Sequence, residues 1–401
     1  MKKGWQTKTL EEACQFSNGL WKGEKPPFVN VGVIRNTNFT KDGTLDDSDI
    51  AYLDVEAKKL EKRRLQFGDI ILEKSGGGPK QPVGRVALFD KDEGDFSFSN
   101  FTAALRVLEP DDLDFRFLHK FLHWTYVSGV TEGMQSNSTG IRNLDGDAYK
   151  AIEITYPPLA EQQRIVGLLD EAFEGLATAK ANAEKNLQNA RALFESHLQS
   201  VFTQRGLGWV EKRLGDVCKT GSGGTPLSSR KEYYDGGDIP WLVSGEVAQG
   251  NVRTAKNFIT KAGLENSAAK LFPKDTVLVA MYGATAGQVG ILRFEAATNQ
   301  AVCGILPNDK FVPEFLFYFF LAEKDKLVAQ ATGNAQPNIS QIKIKNTEVP
   351  VASLAEQQRI VDLLDSLHAE TQRLARLYER KHAALEALKK SLLHQAFTGA
   401  L

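Results

Sequence analysis

This sequence of 401 residues lacks the features that mark several classes of protein. It has only three cysteines, Cys14, Cys218 and Cys303, and this odd, widely spaced set predicts neither a disulfide framework nor a zinc site. The six histidines show no metal-ligand spacing. No apolar run approaches the roughly 18 residues of a membrane span, and the N-terminal segment lacks the apolar centre of a signal peptide. We therefore expect a cytoplasmic protein without a membrane span or a bound metal.

Motifs of enzymes that act on nucleotides or on DNA are also missing. The glycine-rich segments GGGPK at 76–80 and GSGGT at 221–225 lack the Gly-Lys-Ser/Thr ending of a nucleotide-binding P-loop. Pro157 and Pro158 follow Tyr156 without the preceding Asn or Asp of an amino-methyltransferase loop, and they are more typical of a strand that stops before a helix. These absences argue against a self-sufficient enzyme.

The net charge of −1 argues against a uniformly basic surface that coats nucleic acid without selectivity. The charges are segregated, however, so a local basic face is compatible with the neutral total. Acidic clusters occur at Asp46-Asp47, Asp49, Asp92-Glu93 and Asp111-Asp112, and basic residues at Lys58-Lys59, Lys62-Arg63-Arg64, Arg230-Lys231, Lys343 and Lys345.

The most informative feature is an internal repeat, in which one sequence unit occurs twice. The string LAEQQRIV begins at Leu159 and again at Leu354, and each copy opens a long helix-like stretch. The separation of 195 residues persists without an insertion as far as Phe202 and Phe397, over roughly twelve helical turns. Because an ordinary surface helix tolerates drift in length, we infer that the length of these helices is fixed by their function.

The globular stretches ahead of the helices are related more loosely. Their separation is 204 at Cys14 and Cys218, 206 at Leu72 and Leu278, and 198 further on, so insertions and deletions lie inside the globular units. Loops that diverge in this way are where binding specificity usually resides. Apolar runs predict strands at 27–34, 68–75, 238–247 and 275–282, and aromatic-rich segments predict helices at 115–124 and 315–324.

Seam residues in the first long segment alternate steps of four and three, which is typical of a helix packed along a partner, and the leucines of the second segment are spaced less regularly. Since an amphipathic helix is not stable alone in water, we expect two antiparallel helices of about 60 to 70 Å with a globular unit at each end. The predicted seam consists of Leu169, Phe173, Leu176, Lys180, Ala183, Leu187, Ala190, Phe194, His197 and Val201 in the first helix, and Leu363, Leu367, Leu374, Leu377, Leu385, Leu388 and Leu392 in the second.

Several phrases of the second half resemble the specificity subunit of type I restriction-modification systems. They are LGD at 214–216, SGGTP at 222–226, GGDIPW at 236–241, GAT at 283–285, TNQ at 298–300 and LAEQQ at 354–358. The first half matches more weakly up to PPLAEQQ at 157–163, and it has FSNG at 16–19 where the second half has the Gly-Gly-Thr-Pro phrase. The loops of the first unit therefore cannot be assigned by transfer from the second.

The resemblance implies an α+β fold with two pseudo-repeated α/β target-recognition domains separated by a pair of long antiparallel coiled-coil helices. The implied boundaries are 1–155 for the first domain, 156–204 for the first helix, 205–351 for the second domain and 352–401 for the second helix. Such a subunit is non-catalytic: each domain binds one half of a split double-stranded DNA target, and the helical pair sets the spacer. Implied partners are two modification (methyltransferase) subunits and the restriction (nuclease and translocase) subunits. S-adenosylmethionine, ATP and Mg belong to those partners, and no cofactor belongs to this chain.

Base contacts require Arg, Lys, Asn, Gln, Ser or Thr on a loop that enters a groove, and nearby glycine lets backbone amides approach phosphate. Each candidate alone is as compatible with a solvated turn or a strand end. The candidates are Lys74, Ser75, Lys80, Gln81, Asn137, Ser138 and Arg142 in the first unit, and Thr225, Ser228, Ser229, Arg230, Lys231, Tyr282, Thr285, Gln288, Asn334 and Gln336 in the second.

Partner contacts are expected at the duplicated helix starts, where the two copies are identical. The residues are Glu161, Gln162, Gln163 and Arg164, echoed by Glu356, Gln357, Gln358 and Arg359. The two glutamates are not interpreted as catalytic, because a carboxylate in the first turn of a helix usually serves the helix dipole and capping. Identical surfaces related by a pseudo-two-fold predict two identical partners. The alternative function is a rod-like scaffold whose end domains bind proteins, with any DNA contact incidental.

Overall fold

A computed structural model gives the fold and describes residues 4–20, 23–78, 81–138, 140–204, 206, 208–331, 338–398 and 400–401. The chain divides into two compact units. Residues 1–184 and 380–401 form unit 1, and residues 185–379 form unit 2. Each unit thus contains a globular domain together with the start of one long helix and the end of the other.

Unit 1 is a mixture of short strands and helices followed by the first long helix. In chain order the elements are β1 (Gln6–Thr9), α1 (Leu10–Ala13), β2 (Cys14–Asn18), β3 (Phe28–Ile34), β4 (Ala51–Glu56), α2 (Ala57–Glu61), β5 (Ile70–Glu73), β6 (Ser75–Gly77), β7 (Val86–Leu88), β8 (Phe96–Phe98), β9 (Thr102–Val107), α3 (Phe115–Val127), β10 (Gln135–Ser138), β11 (Ile141–Leu144), α4 (Gly146–Lys150), β12 (Glu153–Tyr156) and α5 (Leu159–Gln204), which continues into unit 2.

Unit 2 repeats this plan with different loops. Its elements are β13 (Val210–Arg213), α6 (Leu214–Val217), β14 (Thr220–Ser222), β15 (Ile239–Leu242), β16 (Asn251–Val252), β17 (Asn257–Ile259), α7 (Lys261–Glu265), β18 (Leu271–Phe272), β19 (Val277–Ala280), β20 (Val289–Leu292), β21 (Ala296–Thr298), β22 (Val302–Ile305), α8 (Pro313–Ala322), α9 (Lys324–Ala329), α10 (Gln341–Asn346), β23 (Glu348–Val351) and α11 (Leu354–Thr398), which returns to unit 1.

Each unit is built on an antiparallel sheet with an aromatic helix against it. The strand order is β2-β9-β5-β7 in unit 1 and β14-β22-β19-β20-β16, with β16 parallel at its edge, in unit 2. Strand β5 is buried along its whole length, as its apolar run predicts. Helix α3 begins where Asp114 caps it by accepting hydrogen bonds from the backbone N–H groups of Arg116 and Phe117. The predicted aromatic helices are confirmed as α3 and α8.

Strand register corrects one detail of the alignment between the two units. The pairing of β5 with β9 and of β19 with β22 makes Leu72 equivalent to Val279, which is 207 residues later, whereas the sequence alignment placed Leu278 there. The separation of 207 already holds just before the strand, where the Gly68 N–H donates to the Phe89 carbonyl oxygen as the Asp275 N–H donates to that of Leu292. Asp275 has a φ of +66°, and Gly68, with a φ of +89°, occupies the corresponding position of unit 1. A left-handed conformation is easily adopted by glycine and tolerated by aspartate, so the turn survives the change.

The long helices run antiparallel within each unit. In unit 1, Lys180 Nζ lies 2.7 Å from Glu386 Oε1, and His382 Nε2 lies 3.3 Å from Glu184 Oε1. In unit 2, Phe194 packs on His368 with ring centroids 4.7 Å apart. The coiled-coil pair is therefore confirmed, but part of the predicted seam is wrong. Leu363, Leu377 and Leu388 are more than 40% exposed, whereas Ile360, Val361, Leu364, Leu393 and Ala396 are buried.

The end of each long helix completes the core of the globular domain that it reaches. In unit 1, Phe397 of α11 lies against Phe117, Phe121 and Trp124, with ring centroids 5.3 to 5.7 Å apart. Phe202 at the end of α5 packs against α8 of unit 2 in the same way. The helices are thus anchored by aromatic packing at these ends.

Candidate nucleic-acid interface

A three-stranded ribbon, β10-β11-β6, brings together four of the seven candidates predicted in unit 1. Strands β10 and β11 pair as far as Ser138 and Ile141, so only two residues join them. The second of these, Gly140, has a φ of +82°, which a tight hairpin turn requires. Ser75, Asn137, Ser138 and Arg142 all lie on this ribbon. β-ribbons are among the elements that enter a DNA groove.

Side-chain hydrogen bonds fix the base of the ribbon. Gln135 Nε2 donates to the carbonyl oxygens of Val83 and Thr131, both at 3.1 Å, and Gln135 Oε1 accepts from Arg142 Nη1 at 3.4 Å. On the third strand, Ser75 Oγ donates to Asn143 Oδ1 at 2.5 Å. The hairpin is therefore tied down at the end remote from its turn.

A buried ion pair supports the adjacent loop, and the sequence interpretation missed it. Glu73 is 1% exposed and accepts two hydrogen bonds from the Arg85 guanidinium, at 2.8 and 2.9 Å. Arg85 also donates to the carbonyl oxygen of Asn36 at 3.0 Å. Removing one partner of such a pair leaves an uncompensated buried charge. A lone Glu and a lone Arg twelve residues apart carry no sequence signal for this role.

Two of the three further candidates of unit 1 lie among the described residues. Lys74 Nζ donates to Asn18 Oδ1 at 2.8 Å, and burial lowers the pKa of Lys74. With its amide oxygen turned toward Arg85, Gln81 accepts hydrogen bonds from that guanidinium at 2.9 to 3.0 Å, although the residue is exposed. Lys80 lies outside the described residues.

In unit 2 the glycine-rich loop is held by the protein itself. A Cβ on Gly223 would lie 2.1 Å from the Thr298 carbonyl oxygen, and one on Gly224 would lie 2.2 Å from Ala268. Their amides donate to the carbonyl oxygens of Val302 and Thr298 at 3.2 and 2.9 Å. The glycines therefore allow close packing between loops, and the expectation that they let amides approach phosphate is wrong here.

The stretch after this loop is exposed and polar. Ser228, Ser229, Arg230 and Lys231 are all exposed, next to Leu227 at 61%. Arg230 pairs with Glu232 at 3.1 Å, but both side chains are more than half exposed, so the pair is weak and leaves the guanidinium available. Thr225, by contrast, is engaged in a hydrogen bond to Gln300 Oε1.

The remaining candidates of unit 2 lie around the turn after β19. Tyr282 is 39% exposed and forms a bridge with Asn338. Thr285 Oγ1 donates to the Tyr282 carbonyl oxygen at 3.0 Å, and Gln288 is half-buried in the same turn. Asn334 and Gln336 lie outside the described residues.

The duplicated helix starts contain one buried glutamine each, which corrects the expectation that all four residues of each start contact a partner. Gln162 is 0% exposed: its Oε1 accepts from the Asp114 N–H, and its Nε2 donates to the carbonyl oxygens of Asp112 and Pro157, all at 2.8 Å. Gln357 repeats this pattern with the Val312 N–H and two carbonyl oxygens at 2.8 to 2.9 Å. These two glutamines are structural clamps between the long helix and the loop ahead of α3 or α8, so they offer nothing to a partner.

The other residues of the helix starts remain on the surface. Glu161 and Arg164 form a two-pronged pair at 2.7 and 2.8 Å, and Glu356 and Arg359 repeat it at 2.8 Å. The hydrogen bonds from Arg359 lower the pKa of Glu356. Gln163 and Gln358 are both exposed.

Exposed leucines also lie on the two long helices, and they too recur 195 residues apart. Leu168 and Leu363 are 41% and 44% exposed, and Leu193 and Leu388 are 54% and 47% exposed. The predicted seam had placed Leu363 and Leu388 between the helices. Their counterparts Leu168 and Leu193 lie outside the predicted seam of the first helix, and this mismatch was the signal that could have identified them.

Other chemistry is restricted in the part of the chain that the structure describes. No group of three or more His, Cys, Asp or Glu side chains there could hold a metal ion. Burial raises the pKa of Cys14 and Cys303 to about 12, so both remain protonated thiols. None of the described helices combines the length and apolar character needed to cross a membrane.

Comparison with known proteins adds independent evidence. The family model for the type I restriction modification DNA specificity domain matches residues 2–187 and 207–379. The EcoR124I/EcoR124II specificity subunit of Escherichia coli is 25% identical over 289 residues, covering 69% of this chain and 70% of that protein. The MjaIX specificity subunit of Methanocaldococcus jannaschii is 31% identical over 161 residues, or 39% and 37% of the two chains.

Two solved structures share the fold along the whole chain. A chain from a structure on complex assembly and conformational transition of the type I R-M system has a TM-score of 0.81 at 20% identity, with 100% of this chain and 99% of that chain covered. The HsdS subunit from Thermoanaerobacter tengcongensis has a TM-score of 0.66 at 20% identity, with 100% and 98% covered. At this identity the likeness concerns the fold alone.

Proposed function

This chain belongs to the type I restriction modification DNA specificity family, and we propose that it is the non-catalytic DNA-recognition subunit of a type I restriction-modification complex. The observation that carries the proposal is the repeat itself: two domains of one fold differ in their loops, while the helices between them keep one register. Two similar but non-identical binding units predict two different half-sites at a fixed separation. A scaffold that binds only proteins, the alternative, does not account for membership of this family.

We assign base reading to one element in each unit. In unit 1 the β10-β11 hairpin, whose strands carry Asn137, Ser138 and Arg142, would enter the major groove. In unit 2 the exposed stretch 228–231 would supply two serines, Arg230 and Lys231. Arginine pairs best with guanine, and asparagine with adenine. The other side chains of these elements would hold them in place.

Two modification subunits would dock on the repeated helix surface. Each copy presents the Glu161–Arg164 pair or its equivalent, followed four residues later by an exposed leucine, Leu168 or Leu363. An apolar side chain beside an organised ion pair is typical of an interface with a hydrophobic centre and a polar rim. Restriction subunits would complete the complex, and S-adenosylmethionine, ATP and Mg would be bound by these partners.

Methylome sequencing of a host carrying the chain with its partner genes tests the DNA role. One split motif is expected. Arg142→Ala should relax the first half-site alone and Arg230→Ala the second alone, each by about 1–3 kcal/mol of discrimination. Arg373→Ala is the matched control, because Arg373 is 62% exposed against 60% for Arg230 and lies on α11. Absence of a split motif, or a change in both half-sites with either variant, would refute the assignment.

Native mass measurement of the co-expressed complex tests the docking surface. Leu168→Ser and Leu363→Ser should each weaken the binding of one modification subunit, and the double variant should weaken both. Leu53→Ser is the control, since Leu53 is 43% exposed but lies on β4. A complex that keeps two modification subunits in the double variant would show that these leucines lie outside the interface.

A further inference from the structure

A cleft of about 270 Å³ opens on unit 1 beside the recognition ribbon. It lies between β2, the end of β5 and the start of α4, and Phe16, Asn18, Lys74, Gly146 and Lys150 line it. Of these residues, the sequence had suggested a binding role only for Lys74. The volume is close to the lower end of the roughly 300–1,000 Å³ typical of small-molecule sites.

The cleft exists because unit 1 has a glycine where unit 2 has a glutamine. Gly146 is the first residue of α4, after the capping Asp145, and Gln341 is the first residue of α10, after the capping Ser340. In unit 2, Gln341 Nε2 donates to Thr220 Oγ1 at 2.9 Å, and Gln341 Oε1 accepts from Ser222 Oγ at 3.1 Å. The glutamine thus fills this space in unit 2.

Strand register shows that the corresponding space is open in unit 1. Thr220 and Ser222 occupy the positions on β14 that Phe16 and Asn18 occupy on β2, because Thr220 pairs with Ile305 as Phe16 pairs with Leu105. A Cβ built on Gly146 meets no atom within 4 Å. The opening is therefore a difference in side chains on a shared backbone plan.

The lining combines positive charge with an apolar wall. Lys74 occupies the position that Met281 occupies in unit 2. The Leu144 N–H donates to the Lys74 carbonyl oxygen at 2.8 Å, and the Ile339 N–H donates to the Met281 carbonyl oxygen in the same way. Lys150 Nζ lies 6.0 Å from the centroid of the Phe16 ring, and its ion pair with Asp147 is long, at 3.7 Å. Burial lowers the pKa of Lys74, and an anion beside it would oppose that shift by stabilising the ammonium form.

We propose that this cleft binds a nucleotide, with the phosphate held by Lys74 and Lys150 and the base against the apolar wall formed by Phe16 and Leu72. Lysine ammonium groups bind phosphate as point charges, and an aromatic surface binds bases with little selectivity, because every base has a π-face. The nucleotide has two sources, a free mononucleotide or an unpaired nucleotide of bound DNA. The second source rests on the proposed DNA recognition, and the first does not.

Calorimetric titration of the full chain with each of the four deoxynucleoside monophosphates tests the first source. Gly146→Gln, which copies unit 2, should lower the affinity at least tenfold, and Lys74→Met, which also copies unit 2, should lower it severalfold. Gly133→Gln is the control, because a Cβ there also meets nothing within 4 Å and Gly133 lies outside the cleft. Inorganic phosphate should bind at least tenfold more weakly than the nucleotides.

Duplex DNA with an unpaired 2-aminopurine in the first half-site tests the second source. The fluorescence change on binding should be lost in Gly146→Gln and retained in Gly133→Gln. If Gly146→Gln weakens binding in only one of the two titrations, that titration identifies the source of the nucleotide. If Gly146→Gln changes neither titration, the proposal is overturned. Equal affinity for inorganic phosphate and for nucleotides would also overturn it. Sequence-selective duplex binding by the unmodified chain is measured alongside. Its absence would refute the DNA role while leaving the result with free nucleotides interpretable.

Discussion

The buried glutamine at the start of each long helix gives the sharpest test of how each unit is held together internally. Gln162→Ala removes three hydrogen bonds of 2.8 Å to backbone atoms, and it leaves the Asp114 N–H and two carbonyl oxygens without their partner. A buried polar group left unsatisfied costs about 1–3 kcal/mol. Because Asp112 and Asp114 are only half-buried, water can replace part of the loss. We expect unit 1 to lose about 2–4 kcal/mol.

Hydrogen exchange measured by mass spectrometry separates the two units and supplies the assay. Gln162→Ala should lower protection in unit 1, and Gln357→Ala, which removes the same pattern at 2.8 to 2.9 Å, should lower it in unit 2. The neighbouring Gln163 and Gln358 are exposed, so their alanine variants should change stability by less than about 0.5 kcal/mol. Equal losses for Gln162 and Gln163, or a loss confined to the opposite unit, would refute the clamp.

Three other predictions follow from the repeat, the helices and the buried histidines. Exchanging residues 1–155 for the equivalent unit of a relative should change one half-site in methylation mapping and preserve the other half-site and the spacer; a change in both would contradict modular reading. Four residues inserted near Ala183 and four near Tyr378, next to the points where the chain passes between units, add about 6 Å to each helix. The unread spacer should then lengthen by one or two base pairs of about 3.4 Å. An unchanged spacer in an active variant would show that the helices do not set the spacer length. Burial lowers the pKa of His119 to about 3 and the pKa of His123 to about 4. The nearby Lys120 lowers both pKa values as well, and Lys389 lowers that of His123, whereas Asp42 opposes the shift of His123. The unfolded chain takes up protons on these histidines below pH about 6.5, and the folded chain does so only near pH 3 to 4. The free energy of unfolding of unit 1 should therefore fall as the pH drops from about 6.5 to about 3. In urea unfolding, the free energy of unfolding of the double variant His119→Leu/His123→Leu should fall less over that pH range than that of the unmodified chain. An identical pH dependence of the two proteins would disprove the contribution of the histidines.

Features encoded by local pattern could be predicted from the sequence. The starts of α5 and α11 at Leu159 and Leu354 follow from the duplicated string, and the start of α3 at Phe115 follows from an aromatic run after a capping aspartate. Strand β19 lies inside the predicted apolar run at 275–282. Periodicity and capping act over a few residues, so the sequence alone carries them.

Features that depend on distant contacts could not be predicted. Gln162 and Gln163 are the same residue at adjacent positions, and only the first faces the loop around Asp114, 48 residues earlier. In α11, a less regular series of leucines placed Leu363 and Leu388 in the seam, yet both are exposed. A periodic pattern identifies a stripe on a helix, but it does not tell which neighbour covers that stripe.

The exact register of the helices has a physical cause at both of their ends. In unit 1, the clamp of Gln162 fixes where α5 begins, and the packing of Phe397 on α3 fixes where α11 ends. In unit 2, Gln357 and Phe202 do the same for the start of α11 and the end of α5. An insertion of two residues in one helix would turn its terminal phenylalanine by about 200° and remove it from the core, whereas four residues nearly restore the face. Drift in helix length is therefore opposed by the cores of both units before any demand from DNA spacing, and a change of spacer requires a length change close to whole helical turns.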